Sequence, residues 1–279
     1  MHRLALSTLA AALLVSTAPA EGKLAIAEAS VQRMEDGPRV PPGTRHVPGE
    51  TVYFSFKVDG YRVSPEEKIR LSYRLDAMDP DGLKLMETVE GKIESELSPE
   101  DKEWKPKVRH SVVLPPLADP GKYKIVAVVR DALSEETATL DLPFDVAGRA
   151  VARSETLVVR NFGFYREENE REPLAVAAYR PGDAVWARFD ITGYKIGEGN
   201  RIHVDYAVTV LNPEGKTLFT QKEPTVETDE GFYRKRYVPA ILSLNLQSNI
   251  LPGEYTLVIH AKDHVGSGDF ETQEKFRIE

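Results

Sequence analysis

Three groups of side chains in this sequence have the types that do chemistry. His203 and Asp205 stand two apart, on one face of a strand, a spacing that an acid–base pair or a metal site could use. A zinc site needs three or four ligands, and this pair supplies two. His260 and His264 bracket Asp263. Asp263 has a counterpart at Asp131, whose neighbours are Arg130 and Ala132, so the aspartate recurs without the histidines and points to a structural role at a strand end. Asp76, Asp79 and Asp81 offer the oxygens that calcium prefers. The Asp79-Pro80-Asp81-Gly82 turn forms without an ion, however, and Thr209, Asn212 and Glu214 stand at the corresponding later positions. The chain has no cysteine, which removes thiolate catalysis, thiolate metal sites, disulfides and a lipidated N-terminal cysteine together. No serine sits in a nucleophile elbow and no Gly-rich loop opens a phosphate-cradling helix. The reading assigns no catalytic residue, no metal ligand and no cofactor.

Binding residues are easier to nominate. Trp104-Lys105-Pro106-Lys107-Val108-Arg109-His110 follows an acidic run from Glu94 to Glu103, and Phe232-Tyr233-Arg234-Lys235-Arg236-Tyr237 lies in the second half. Flat rings interleaved with Arg and Lys make effective contact surfaces. Trp104, Tyr233, Arg234, Arg236 and Tyr237 are therefore the candidate binding residues. On this reading, alanine at Tyr233, Arg236 and Tyr237 weakens partner capture without lowering the melting temperature. The competing reading is an outer strand whose charges keep a sheet edge from pairing.

An internal repeat sets the elements that position these residues. Shifted by 133 residues, Pro48–Leu85 lies over Pro181–Leu218 without a gap, with 11 of 38 positions identical; unrelated segments give about two. Pro48, Gly49, Val52, Phe56, Gly60 and Tyr61 match Pro181, Gly182, Val185, Phe189, Gly193 and Tyr194. At a shift of 132, Pro120, Gly121, Tyr123, Asp131 and Phe144 match Pro252, Gly253, Tyr255, Asp263 and Phe276. The expectation is a duplicated domain. Within each copy the apolar period is two: Val52, Phe54, Phe56 and Val58 share a face, as do Val185, Ala187, Phe189 and Ile191. Asp79-Pro80-Asp81-Gly82 and Asn212-Pro213-Glu214-Gly215 read as hairpin turns. No long helical period occurs; Pro99 to Lys102 suits a single turn.

Pro120-Gly121-Lys122-Tyr123 and Pro252-Gly253-Glu254-Tyr255 each deliver a tyrosine at the start of a strand, with its hydroxyl free to bond backbone upstream. This resembles the tyrosine corner of immunoglobulin-like sandwiches. The whole mature chain resembles the tandem immunoglobulin-like modules, of fibronectin type III or macroglobulin-like flavour, that build bacterial envelope proteins. That resemblance implies adhesion, scaffolding, and carbohydrate or protein contact rather than catalysis. The absent cysteines depart from it, since neither an antibody-type disulfide nor a macroglobulin thioester can form.

Charge and composition complete the picture. Hydrophobic residues make up 41% and charged residues 29% of 279, which excludes a disordered chain and a polytopic membrane protein. Arg3, an apolar run from Leu4 to Val15 and Ala18-Pro19-Ala20 read as a signal peptide over residues 1–20. Losing Arg3 with that leader moves the formal charge from −8 to −9, a balance that argues against nucleic acid as a partner. The expected fold class is all-β: two tandem antiparallel sandwiches, over residues 21–147 and 155–279, with a linker at 148–154. The expected role is a non-catalytic periplasmic or secreted binding or scaffold protein. Its partner would be an envelope protein or glycan, and no membrane span follows signal cleavage. A polysaccharide-active hydrolase or a carbohydrate-binding module is the alternative.

Overall fold

The computed structural model describes residues 22–279 apart from Pro99 and Lys102. The leader and the turn expected at Pro99–Lys102 therefore lie outside the described residues, wholly or in part. Eight strands form the first half: β1 (Ala25–Gln32), β2 (Arg45–His46), β3 (Thr51–Asp59), β4 (Lys68–Met78), β5 (Val89–Glu96), β6 (Lys107–Val113), β7 (Gly121–Asp131) and β8 (Thr137–Val146). Nine form the second: β9 (Val158–Tyr165), β10 (Ala178–Tyr179), β11 (Ala184–Thr192), β12 (Ile202–Leu211), β13 (Thr217–Thr220), β14 (Thr225–Asp229), β15 (Tyr237–Asn245), β16 (Gly253–Asp263) and β17 (Gly268–Ile278). Among the described residues no helix is long and apolar enough to cross a membrane.

Each half is an immunoglobulin-like sandwich of two sheets. In the first, β1-β3-β6 faces β2-β8-β7-β4-β5; in the second, β9-β11-β15 faces β10-β17-β16-β12, with β13 and β14 both on the free side of β12. All pairings are antiparallel except the short β2–β8 and β10–β17 pairs. The alternation read from sequence is realised: Val52, Phe54, Phe56 and Val58 of β3 meet Leu71, Leu75, Ile125, Ala127 and Val129 of the opposite sheet in one buried cluster. Val185, Ala187, Phe189 and Ile191 do the same with Val204, Val208, Leu257 and Ile259. With no covalent bridge, these two apolar clusters carry the fold.

The halves also repeat each other in their irregularities. Tyr123 donates its hydroxyl to the Asp119 carbonyl at 2.7 Å, and Tyr255 donates to the Leu251 carbonyl at 2.8 Å. Asp131 accepts the backbone N–H groups of Arg62 and Leu133, and Asp263 those of Lys195 and Val265, so each ties a strand end to a neighbouring loop. Both β1 and β9 carry a bulge, with Glu28 and Asn161 at positive φ. Gly60 and Gly193 have φ of 67° and 80°, and a Cβ there would sit 2.2 Å and 1.9 Å from the carbonyl oxygens of Lys23 and Thr156. Only glycine fits either place.

Candidate functional site

The connections at the two poles of each sandwich decide how the halves meet. At the trailing pole of the first sandwich lie the β4–β5 turn, carrying Asp79 and Asp81, and the segment before β7, carrying Asp119. At the leading pole of the second lie the linker and the approach to β15. These two poles face each other.

The centre of the contact is Asp79. Its Oδ1 accepts the N–H groups of Asp81 and Leu83, each at 2.8 Å, which shapes the turn. Its Oδ2 is left for the second sandwich, and accepts the Tyr233 hydroxyl at 2.9 Å and Arg236 Nη2 at 2.8 Å. The Asp79 side chain is fully buried. Arg236 spreads its fork further, to Asp81 at 2.6 Å and Asp119 at 2.6 Å. A planar guanidinium with five donors suits three carboxylates in a way that an ammonium does not. Tyr233 also packs on the apolar cluster of the first sandwich. From the linker, Arg153 pairs with Asp81 at 2.5 Å and Asp119 at 3.6 Å, while Arg149 pairs with the buried Asp190 and lies 5.6 Å above the Tyr237 ring. The linker is thereby pinned to both sides.

The electrostatics follow from burial and pairing. Burial, then Tyr123 and Asp79, pushes the Tyr233 phenol far above the ordinary tyrosine range. Tyr123, buried beside it, is pushed up to about 12. Burial works against the charge of Arg236, yet its bond to Asp119 and the nearby Asp79 carry its pKa above the usual arginine value. The hydrogen bond from Arg153, and the charges of Arg236 and Arg153, hold Asp81 below 3.8. Tyr233 and Tyr123 thus keep their protons, and Arg236 and Asp81 their charges, throughout the neutral range. The arrangement is built to hold parts together.

The candidate binding residues are thus divided. Tyr233 and Arg236, expected to face a partner, face the other half of the same chain. Tyr237 is buried beneath Arg149. Arg234 is exposed at the rim of this junction. Trp104 stands apart, at the leading pole of the first sandwich, 41% exposed, its carbonyl accepting the Tyr61 hydroxyl. Sequence reasoning singled out Tyr233 and Arg236 as contacts to a partner, weighed Asp79 and Asp81 only as turn residues and calcium ligands, and did not single out Asp119; the structure joins all five within one chain. A difference between the copies marks them: Asp79 and Asp119 become Asn212 and Leu251 in the second half, while Asp81 stays acidic as Glu214.

The other candidate groups are placed as follows. Asp76 turns away from Asp79 and pairs with Arg74 at 2.9 Å and Lys84 at 2.8 Å. His264 Nε2 meets Asp205 Oδ2 at 2.5 Å, and its ring stacks on His203 at 4.3 Å. His260 pairs separately with Asp269. Among the described residues no group of three or more such side chains is arranged to hold a metal ion. The charges of the Trp104 segment are engaged within the first sandwich: Lys105 with Asp59, Lys107 and Arg109 with Asp36.

No protein-family model matches the sequence, and no curated protein does. Among solved structures, the C-terminal domain of the AgI/II polypeptide BspA of Streptococcus agalactiae is 12% identical, with a TM-score of 0.32 over 92% of this chain and 99% of that one. The C-terminal domain of the antigen I/II-family protein AspA of Streptococcus pyogenes is 10% identical, with a TM-score of 0.33 over 92% and 99%. The alkylpurine DNA glycosylase AlkC of Pseudomonas fluorescens is 11% identical over 46% of this chain and 31% of that one, at a TM-score of 0.28. Superpositions this loose leave function to be read from the chain's own side chains.

Proposed function

We propose that this chain is an exported, non-catalytic scaffold whose two immunoglobulin-like modules, residues 21–147 and 155–279, arose by copying one unit and act as a spacer of fixed length in the cell envelope. The observation that carries the reading is the junction: Arg236, Tyr233 and Arg153 converge on Asp79, Asp81 and Asp119, so the second module is held against the first rather than swinging on its linker. A rod of this kind presents surfaces at its poles and flanks with a set separation. Trp104 and Arg234 are the outward-facing members of the candidate set and are assigned to partner contact; Tyr233, Arg236 and Tyr237 act through the junction. The partner is an envelope protein or glycan. Photo-crosslinkable residues at positions 104 and 234, tested in the native envelope, should trap the same partner repeatedly, and Arg236→Ala should change which of its sites are reached. Crosslinks indifferent to the junction variant, or a chain retained in the cytoplasm, would overturn the reading.

A further inference from the structure

The repeat turns one observed contact into a guide to a second surface. At the trailing pole of the second sandwich lies a groove of about 650 Å³ between the β12–β13 turn, the end of β15 and the approach to β16. Its walls include Asn212, Pro213, Leu251 and Tyr255. By the shifts of 133 and 132 residues these are the counterparts of Asp79, Pro80, Asp119 and Tyr123, the face on which the second sandwich docks. The backbone is prepared in the same way: Asn212 Oδ1 accepts the Lys216 N–H at 2.8 Å, as Asp79 Oδ1 accepts that of Leu83. What differs is the chemistry presented to a visitor. The atom that accepts Arg236 in the first sandwich is an amide nitrogen in the second, and the carboxylate of Asp119 gives way to the side chain of Leu251. Leu251 is 73% exposed, with Leu218 at 56% and Phe219 at 45% close by. The receptor keeps one carboxylate, Glu214 in the place of Asp81, and exchanges the other two for an amide and a leucine beside exposed apolar side chains.

The docking side has changed in the same direction. Val52 pairs with Val112, and its counterpart Val185 pairs with Leu244, so β6 and β15 correspond at a shift of 132. At that shift Trp104 falls on Arg236. The approach is anchored alike in both halves, with the Tyr61 hydroxyl bonded to the Trp104 carbonyl and the Tyr194 hydroxyl bonded to the adjacent Lys235 carbonyl. One pole pair matches arginine to acids. The other offers an exposed indole and a groove whose exposed leucine and phenylalanine side chains stand beside Glu214.

We propose that the trailing groove of the second sandwich receives the leading pole of the first sandwich of another copy of this chain, with the Trp104 indole in the place that Arg236 takes within one chain. Such a contact is head-to-tail, and head-to-tail contacts that do not close generate open rows rather than dimers. Tryptophan is the side chain most enriched at the centre of such contacts. This names the partner for one pole of the scaffold and so rests on that reading, but it concerns the purified chain alone, and its failure leaves an envelope partner untouched.

Sedimentation of the leaderless chain over a concentration series tests the proposal. The chain is expected to form dimers and longer species as concentration rises; Trp104→Ala and Leu251→Arg, each exposed and each melting like the parent, should leave it monomeric. A second measurement uses the absence of native cysteine: Trp104→Cys and Leu251→Cys chains, mixed and oxidised, should join to each other more than either joins to itself. A parent chain that stays monomeric overturns the proposal and assigns the groove to a different protein. Assembly that survives both substitutions, or crosslinks formed mainly between like variants, overturns it as well.

Discussion

Asp79 is a buried acid that, among the described residues, pairs with a cation of the other module, and Arg236 is what makes that burial tolerable. Removing one member of a buried pair leaves the other uncompensated, at a cost of about 3 kcal/mol. Arg236→Ala is therefore expected to lower the melting temperature clearly, the opposite of what a surface contact residue would do. Arg236→Lys should recover only part of the loss, since one ammonium cannot serve Asp79, Asp81 and Asp119 in a plane. Tyr233→Phe removes a single hydrogen bond to a charged acceptor and should cost about 2 kcal/mol by thermal denaturation. The aromatic and basic residues were legible in the sequence as a contact surface because composition reports how a surface binds. Composition does not report whether the other side belongs to the same chain, and Asp79 and Asp81 read equally well as turn residues.

At the scale of strands and turns, the fold class and the central strands of both sheets were legible. The period of two in β3, β4, β11 and β12, the proline–glycine turns and the tyrosine corners each follow from short-range chemistry, and burial merely has to agree with them. What escaped were β1, β5 and β9, whose faces alternate less sharply, the short β2 and β10 strands, and the split of the outer strand into β13 and β14, where two to five residues carry too little periodicity to register. The glycines give a test at this scale. Gly193→Ala forces a Cβ onto the Thr156 carbonyl at φ 80°, and is expected to cost about 3 kcal/mol or to prevent folding of the second sandwich. Gly215→Ala, at a similar φ of 76° but with open space around it, should cost about 1 kcal/mol. Urea denaturation of the two variants side by side separates steric exclusion from backbone strain.

The molecule as a whole works as one rod if its two sandwiches are locked, and the lock is ionic. The pairing of Asp81 holds its pKa below the ordinary 3.8. A carboxylate with a depressed folded value stabilises the folded contact fully above its unfolded value, and that stabilisation is lost as pH falls through the folded value. The junction is thus expected to hold across the neutral range and to loosen below pH 3.8, before or together with unfolding of the sandwiches. High salt should weaken the exposed Arg153 arm more than the buried Arg236–Asp79 contact, because screening acts on charges that water reaches. The most direct test of the central claim is the distance distribution between two spin labels, one in each sandwich, introduced on cysteines that the chain otherwise lacks. A locked junction gives one narrow distance at neutral pH that broadens in Arg236→Ala. A broad distribution in the parent chain, or a narrow one that survives the loss of Arg236, would contradict it.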